Sequence, residues 1–428
     1  MLEHLDDTHP YHPDESFRQR VDRRGKQLRR RRRSAATAAV GLLVLGGVGL
    51  GGAAYIDRRD AAIDRSDVST QPSTDGATNV LVLPQEQVDE AWQELPAGPL
   101  GERLDYSSTW TGRELIIWGG WSGTTEREFH ADGAAFNPST NEWRMLPGAP
   151  DPGRASATGV WTGTELLILG GINDDGPVSD GLGFNPTTGN WRQVDDGPLG
   201  TAVPTASIWT GTEVIIIASS GDVPSEQRLD VTAYSPSTDA WSTLPPPANH
   251  VNRSLSVQLV DGDILLFGST VDDLGEKAVS GEFGVQVFDL GAREWRSGPT
   301  IRLSPQSAAV ESFGPTIVAV DYLLSAAAAG EPDDVEGQTW EPIASVPLRA
   351  TNCSPQLVPA GRGLLMWYCG QAALLTAEGT WLPVTPSELA SDVWNAVLYW
   401  SGDEVLLWGR LFDSHAPVLR AFKPHKIA

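Results

Sequence analysis

Short apolar segments follow Gly-containing turns in a repeating order along most of this chain. Clear examples are WTGRELIIWGG at 110–120 and WTGTELLILGG at 161–171. Related segments occur at 209–219, 260–269, 313–321, 360–370 and 400–410. Apolar runs of this length, bounded by Gly and Pro, are typical of β-strands and too short for most helices. The pattern therefore predicts an all-β fold.

The turn glycine and a tryptophan recur with the same period. The glycines are Gly112, Gly163, Gly211, Gly262, Gly314, Gly361 and Gly402, spaced by 41 to 52 residues. The tryptophans are Trp92, Trp143, Trp191, Trp241, Trp295, Trp340 and Trp381. A period near 50 residues indicates a repeat architecture.

One repeat has the composition of four antiparallel strands. In the second repeat these are ASATGVW at 155–161, ELLILGG at 165–171, GLGFNP at 181–186 and WRQV at 191–194. Such a sheet cannot bury both of its faces alone, but radial stacking lets each sheet cover its neighbours. Seven glycines and seven tryptophans predict seven blades.

The order Gly-Gly, aromatic, Trp resembles the kelch repeat of β-propellers. It occurs as Gly119-Gly120, Phe136, Trp143; as Gly170-Gly171, Phe184, Trp191; and in part as Phe288, Trp295. The third repeat keeps Tyr234 and Trp241 without the glycines, and the fifth and sixth repeats are degenerate. The resemblance covers about residues 87–428 and implies a seven-bladed kelch-like β-propeller. It implies little about function, because one fold hosts many activities.

The two ends of the repeat region indicate how the ring closes. Strand-like segments at 392–400, 404–409 and 417–423 end the chain without a Trp-led strand after them. An unmatched Trp-led segment, AWQELP at 91–96, precedes the first repeat. We expect strand 91–96 to complete the last blade, because this closure removes an open sheet edge.

The segment before the propeller is divided by charge. Residues 1–34 form a basic tail with ten Lys and Arg side chains at 18–33, and residues 35–56 contain no charge. Twenty-two uncharged residues can cross a membrane as one helix. A cleaved signal peptide is the alternative. The charge bias predicts a single-pass protein of the cell membrane with a cytoplasmic N-terminus, a flexible linker at 57–86 and an extracytoplasmic propeller at 87–428.

Composition excludes one class of partner. The chain has 428 residues and a net charge of −24, and residues 57–428 alone carry −28. Such a surface repels nucleic acid. We expect no nucleic-acid partner.

The two cysteines flank the sixth turn glycine. If the inner hairpin pivots about Gly361, Cys353 faces Cys369 directly, within reach of a disulfide. An exported compartment permits this bond. Two buried free thiols are the alternative.

Metal and catalytic signals are weak. The seven histidines include no pair with metal-ligand spacing, and the paired aspartates lack the alternating ligands of a calcium loop. No nucleophile elbow, phosphate loop or Ser-His-Asp arrangement is present. We therefore expect no metal, no cofactor and no catalytic residue.

The variable loops share one face of the predicted ring. They include 121–132, 172–180 and 269–282, whereas the TG turns of the opposite face are nearly identical and look structural. Five arginines precede the inner strands on the variable face: Arg103, Arg154, Arg253, Arg302 and Arg349. Together with Trp121 they could bind an anionic or aromatic-stacking ligand. The alternative is that the arginines brace neighbouring loops against acidic side chains.

These observations favour a binding function. We expect a bacterial, membrane-anchored kelch-like propeller that recognises an unknown protein or carbohydrate through its variable face. A glycan-modifying enzyme that uses carboxylates of the same face is the first alternative. A signalling relay, in which the basic tail contacts a cytoplasmic regulator, is the second.

Overall fold

The structure is a computed structural model that describes residues 83–427, except 124–125, 221–227, 248–250, 261, 271–282, 299–307, 314–315, 322–323, 330–339, 350–353, 388–392 and 412–413. Within this part of the chain, almost all regular structure is β-strand. One short helix, α1 (Gln85–Ala91), precedes the strands, and a 3-10 helix (Pro424–Lys426) follows them.

Seven four-stranded antiparallel sheets form the blades. The strands of each blade are named from the innermost to the outermost. Blade 1 contains β2 (Ser107–Trp110), β3 (Leu115–Trp118), β6 (Gly133–Asn137) and β7 (Glu142–Met145). Blade 2 contains β8 (Thr158–Trp161), β9 (Leu166–Leu169), β12 (Gly181–Asn185) and β13 (Asn190–Val194). Blade 3 contains β14 (Val203–Trp209), β15 (Val214–Ser220), β16 (Arg228–Ser235) and β17 (Ala240–Leu244).

The other blades follow the same order. Blade 4 contains β18 (Val251–Val260), β19 (Asp263–Thr270), β20 (Phe283–Asp289) and β21 (Glu294–Ser297). Blade 5 contains β22 (Ala308–Phe313), β23 (Thr316–Asp321), β24 (Ala326–Ala329) and β25 (Glu341–Ile343). Blade 6 contains β26 (Gln356–Ala360), β27 (Gly363–Tyr368), β28 (Gln371–Leu375) and β29 (Trp381–Pro383). Blade 7 contains β30 (Val393–Trp400), β31 (Val405–Leu411), β32 (Pro417–Phe422) and β1 (Trp92–Leu95).

Two small hairpins lie between the second and third strands of blades 1 and 2. They are β4 (Trp121–Ser122) with β5 (Glu128–Phe129), and β10 (Ile172–Asn173) with β11 (Gly176–Pro177).

The ring closes through both ends of the chain. Each inner strand contacts the inner strand of the next blade, and β30 of blade 7 contacts β2 of blade 1. Strand β1 pairs antiparallel with β32, so that Trp92 lies opposite Phe422. The predicted all-β, seven-bladed propeller is confirmed, and β1 lies within the segment 91–96.

The second strands are apolar throughout because they lie in the core between neighbouring blades. Strand β3 lies between two blades, and all four of its side chains are buried. Leu115 and Ile117 pack with blade 7, while Ile116 and Trp118 pack with blade 2. Both faces of each sheet are therefore covered by its neighbours, and the period-2 alternation of a half-exposed strand is absent.

In blades 1, 2, 3 and 7 a threonine or serine closes the turn between the first and second strands. The hydroxyl of Thr111 accepts a hydrogen bond from the Glu114 N–H (2.9 Å) and donates one to the Glu114 carbonyl (3.1 Å). Thr162, Thr210 and Ser401 make the same pair of bonds. This local bonding accounts for the repeated Trp-Thr-Gly sequence.

In five blades the Trp of the outer strand connects the blade to the preceding one. The Trp143 indole N–H donates to the Pro96 carbonyl (2.7 Å), and Trp92 donates to the Val384 carbonyl (2.8 Å). Trp191, Trp241 and Trp295 make equivalent bonds. Among the described residues, Trp340 and Trp381 of blades 5 and 6 have no such partner. Within the described residues, these two degenerate repeats therefore lack the indole bond that links the other blades.

Several predictions fall outside the described residues. These residues do not include the segments at 1–34 and 35–56 or most of the linker at 57–86. In the part of the chain that is described, no helix has the length and apolar character needed to span a membrane. Cys353 is also outside, so that its bond to Cys369 stays a prediction; the described chain contains no free cysteine.

Candidate functional site

Arg103 on the variable face is buried and already bonded. Only 3% of its surface is exposed. Its guanidinium donates to the Gly119 carbonyl (3.1 Å) and pairs with the Asp132 carboxylate (3.1 Å). These contacts hold the loop after β3 against the start of blade 1. An anionic ligand would have to displace Asp132, so the geometry favours the bracing alternative for Arg103.

Arg154 has the same role in blade 2. It is 2% exposed, contacts Asp151 and Asp180, and donates to the Gly170 carbonyl (3.1 Å). Burial acts to lower the pKa of Arg154, but the two carboxylates outweigh burial and raise it above its usual value. The backbone carbonyl of Arg154 accepts a hydrogen bond from the Gly120 N–H (2.9 Å). Gly120 has a φ of 90°, a left-handed conformation that glycine adopts without strain.

The remaining predicted arginines do not form a described cluster. Arg349 is exposed, and its backbone is bonded to Gln371 through both the N–H (3.0 Å) and the carbonyl (2.9 Å). Arg302 and the side chain of Arg253 lie outside the described residues. The structure therefore does not bring the five arginines together at a common site within the part that it describes.

Trp121 lies on the β4–β5 hairpin of the variable face and is half-buried. Its indole N–H donates to the Asp105 carboxylate (2.9 Å), and the exposed Arg127 guanidinium lies 4.8 Å from its ring centroid. On the same hairpin, burial and the neighbouring Arg103 lower the pKa of His130, whose Nε2 is 3.0 Å from the Ser122 hydroxyl. The hairpin therefore presents a fixed aromatic surface beside a cation.

A cavity of about 340 Å³ follows the inner strands of blades 7, 1, 2 and 3. Its volume falls within the roughly 300–1,000 Å³ usual for small-molecule sites. Its walls carry eight hydroxyl groups, from Tyr106, Ser107, Ser108, Thr109, Ser156, Thr158, Ser207 and Tyr399. The described lining residues include no lysine or arginine and a single carboxylate, Asp105.

Hydroxyl groups connect the blades along this cavity. The Ser107 hydroxyl donates to the Ala157 carbonyl of blade 2 (2.8 Å), and the Ser108 and Tyr399 hydroxyls are 2.9 Å apart between blades 1 and 7. Thr158 bonds to Ser207 between blades 2 and 3. Burial raises the pKa of Tyr399 to about 12 and that of Tyr106 well above its usual value. These phenols are therefore neutral hydrogen-bonding groups at physiological pH.

Residues in the left-handed region lie at the variable-face end of the cavity. Asp105, Ser156 and Asn395 line the cavity and have φ values of 51°, 52° and 50°. Asp105 and Ser156 lie two positions before the first residues of β2 and β8, and Asn395 lies within β30. The Ser156 N–H donates to the Asp105 carbonyl (2.7 Å), and the Tyr106 hydroxyl donates to the Asn395 carbonyl (2.8 Å). Strained residues held by such bonds often occur at functional sites.

Blade 5 contributes a partly buried carboxyl group. Glu311 lies on the inner strand β22, where it accepts a hydrogen bond from the Ser312 N–H (3.0 Å). Burial raises the pKa of Glu311 to about 7, although bonds from Ser312 and Gln258 oppose the shift. A carboxyl group with this pKa can exchange a proton near neutral pH.

Sequence reasoning assigned function to the variable face and missed the cavity. The signal was present, since a tryptophan precedes the turn in the first three repeats and the last, at Trp110, Trp161, Trp209 and Trp400. Three of these residues line the cavity. In the described part of the chain, His, Cys, Asp and Glu side chains form no cluster of three that could hold a metal ion.

Comparison with known proteins gives little information about function. No family model matches the sequence, and no curated protein matches it. Among solved structures, YjhT is similar with a TM-score of 0.42 and 13% sequence identity, over 76% of this chain and 95% of YjhT. A similarity of this size carries no argument about ligand or activity.

Proposed function

We propose that this protein is a membrane-anchored binding propeller of the kelch type. In this proposal residues 35–56 anchor it in a bacterial cell membrane, and the propeller recognises a protein or glycan outside the cytoplasm through its variable face. A rigid ring that presents many loops on one face is suited to recognition.

One observation supports the choice of face. Trp121 is half-exposed yet fixed by its bond to Asp105, and the exposed Arg127 lies over its ring. A rigid aromatic group beside a cation provides contact area at a low cost in conformational entropy, and Trp and Arg often dominate binding energy at interfaces. The buried Arg103 supports the hairpin from below through Asp132.

Substitution of Trp121 by alanine tests this proposal. The full chain in detergent is used for pull-down from cell-envelope extract and for a glycan array, as wild type and as Trp121→Ala. We expect the substitution to weaken binding about tenfold or more, or about 1.4 kcal/mol. Arg113→Ala is the matched control, because Arg113 is exposed in a turn of the opposite face. Equal binding by the wild type and Trp121→Ala would contradict the assignment.

The anchor is tested separately. Removal of residues 1–78 is expected to release the propeller from the membrane fraction, because the uncharged segment 35–56 is then absent. Cysteine-accessibility labelling of the full chain is expected to place residues of the propeller outside the cytoplasm. A truncated chain that still sediments with membranes would contradict the proposed anchor.

A second candidate function is a glycan-modifying enzyme, with Glu311 of the inner strand β22 in place of the variable-face carboxylates expected from the sequence. The Glu311 pKa of about 7 suits a general acid or base. Under this alternative, the purified full chain turns over an oligosaccharide and Glu311→Gln abolishes turnover without loss of fold. Turnover that is unchanged in Glu311→Gln would exclude this role for Glu311.

A further inference from the structure

Four tryptophans occupy one structural position in four consecutive blades. They are Trp110, Trp161, Trp209 and Trp400, and each ends an inner strand opposite the first residue of the next strand. The inner strands of blades 7, 1, 2 and 3 adjoin in that order. The four indoles therefore form an arc around the channel at the end beside the TG turns, on the face opposite Trp121. We call them the tryptophan arc.

The other blades do not continue the arc with aromatic residues. The equivalent positions, each opposite the first core residue of the second strand, are Leu259, Ser312 and Pro359. Leu259 is 38% exposed and extends the apolar surface into blade 4. The rim of the channel is thus aromatic in blades 7, 1, 2 and 3 and carries no aromatic residue at the equivalent positions of blades 4, 5 and 6.

The arc is held rigidly but remains accessible. Each of the four rings packs partly against a core cluster between two blades and keeps part of its surface exposed. A ring fixed in this way loses little conformational entropy when a ligand stacks on it. The arc is therefore a preorganised stacking surface.

The indole N–H groups of the arc have no hydrogen-bond partner among the described residues. None of the four makes a hydrogen bond with any residue that the structure describes. In contrast, five outer-strand tryptophans donate their N–H groups to carbonyls of the preceding blade. Tryptophan N–H groups usually find a partner when they are buried. The arc thus places N–H donors next to its apolar rings that no described residue of the protein occupies.

The cavity behind the arc determines which ligand fits. Trp110, Trp161 and Trp209 line it together with the eight hydroxyl groups, and the Thr109 and Ser156 hydroxyls make no hydrogen bond within the described chain. The only carboxylate among the described lining residues, Asp105, lies at the far end and accepts the Trp121 N–H. Without a cationic side chain in the described lining, an anionic ligand would find no charge partner.

We propose that the tryptophan arc and the adjoining cavity bind a neutral carbohydrate. A sugar ring has an apolar face of C–H groups that stacks on indole, and its hydroxyls both donate and accept hydrogen bonds. The arc supplies the stacking surface and N–H donors, and the cavity wall supplies hydroxyls. This site is separate from Trp121 and does not depend on the function proposed for the variable face.

Titration calorimetry on the full chain in detergent tests the site. The probes are the neutral hexaoses of glucose and mannose in β-1,4 and α-1,4 linkage, with an oligogalacturonide as the acidic comparison. We expect at least one neutral probe to bind with a Kd below about 1 mM, and Trp161→Ala to weaken it about tenfold, or 1.4 kcal/mol. Trp161→Phe keeps a stacking face but loses the N–H, so that we expect a loss of about threefold.

Two controls distinguish sugar binding at the arc from binding at the variable face and from a folding defect. Trp121→Ala on the opposite face should leave the affinity within about twofold. Bound sugar should also protect the tryptophan fluorescence of the wild type from quenching by acrylamide. This measurement uses no variant, so a folding defect cannot affect it. The proposal is overturned if no neutral probe binds, if only the acidic probe binds, or if Trp161→Ala and Trp161→Phe bind as the wild type does. It is equally overturned if phosphatidylcholine vesicles, rather than sugars, give the tryptophan protection.

Discussion

Replacement of Glu311 by Gln should change the pH dependence of stability. Glu311 is an inner-strand carboxyl group of blade 5, and burial raises its pKa from 4.5 to about 7 in the folded state. The folded chain therefore binds this proton more tightly than the unfolded chain. The stability associated with neutral Glu311 is fully present below about pH 4.5 and is lost as pH rises through about 7.

The magnitude follows from the size of the shift. A change from 4.5 to about 7 corresponds to about 3 kcal/mol of unfolding free energy, at roughly 1.36 kcal/mol per pH unit. Glutamine is neutral at every pH and retains a carbonyl oxygen for the Ser312 N–H. Glu311→Gln should therefore match the wild type near pH 4 and exceed it by about 3 kcal/mol at pH 8. For a domain of this size that difference is about 4 °C in Tm.

Differential scanning calorimetry at half-unit steps from pH 4 to pH 8 provides the measurement. The quantity of interest is the difference in Tm between Glu311→Gln and the wild type, because other titrating groups cancel in it. The matched control is Glu294→Gln, since Glu294 is solvent-exposed on an outer strand. A difference that stays flat between pH 4 and pH 8, or that matches the control, would refute the burial argument for Glu311.

Three further predictions concern how the ring is held together. Deletion of residues 87–97 removes β1 and exposes the edge of β32, so that calorimetry should show loss of the cooperative transition; an unchanged transition would argue against closure. Arg154→Ala removes the guanidinium that pairs with both Asp151 and Asp180 and should cost about 3–5 kcal/mol in urea unfolding, against less than about 0.5 for the exposed Arg349→Ala. Trp92→Phe breaks the buried bond to Val384 and should cost about 1–2 kcal/mol more than Trp381→Phe, whose N–H has no partner among the described residues; equal costs would show that the bond contributes nothing.

Much of the fold could be predicted from local signals. Turn glycines, apolar runs and Trp-led segments each describe one strand and its neighbours, and their period predicted the number of blades. The Thr111 turn shows why this works, because its hydroxyl bonds only three residues along the chain. Such information survives in a single sequence, since it does not depend on distant residues.

The candidate sites were less predictable. Arg103 and Arg154 have the residue type of an anion site, but their contacts with Asp132 and Asp180 arise only when the loops are folded together. In the sequence, nothing distinguishes Glu311 from other carboxyl groups on strands, because its pKa is raised by burial in the folded chain. In each case charge and burial depend on what lies opposite, which the sequence order does not contain.

The sequence by itself determined an all-β chain of seven repeated sheets, because strand length, turns and periodicity are local properties. The tertiary structure alone decided that Trp110, Trp161, Trp209 and Trp400 meet around one channel, across almost 300 residues of sequence. Ring closure brings blade 7 beside blade 1, and only then do half-exposed indoles and inner-strand hydroxyls converge on a common cavity.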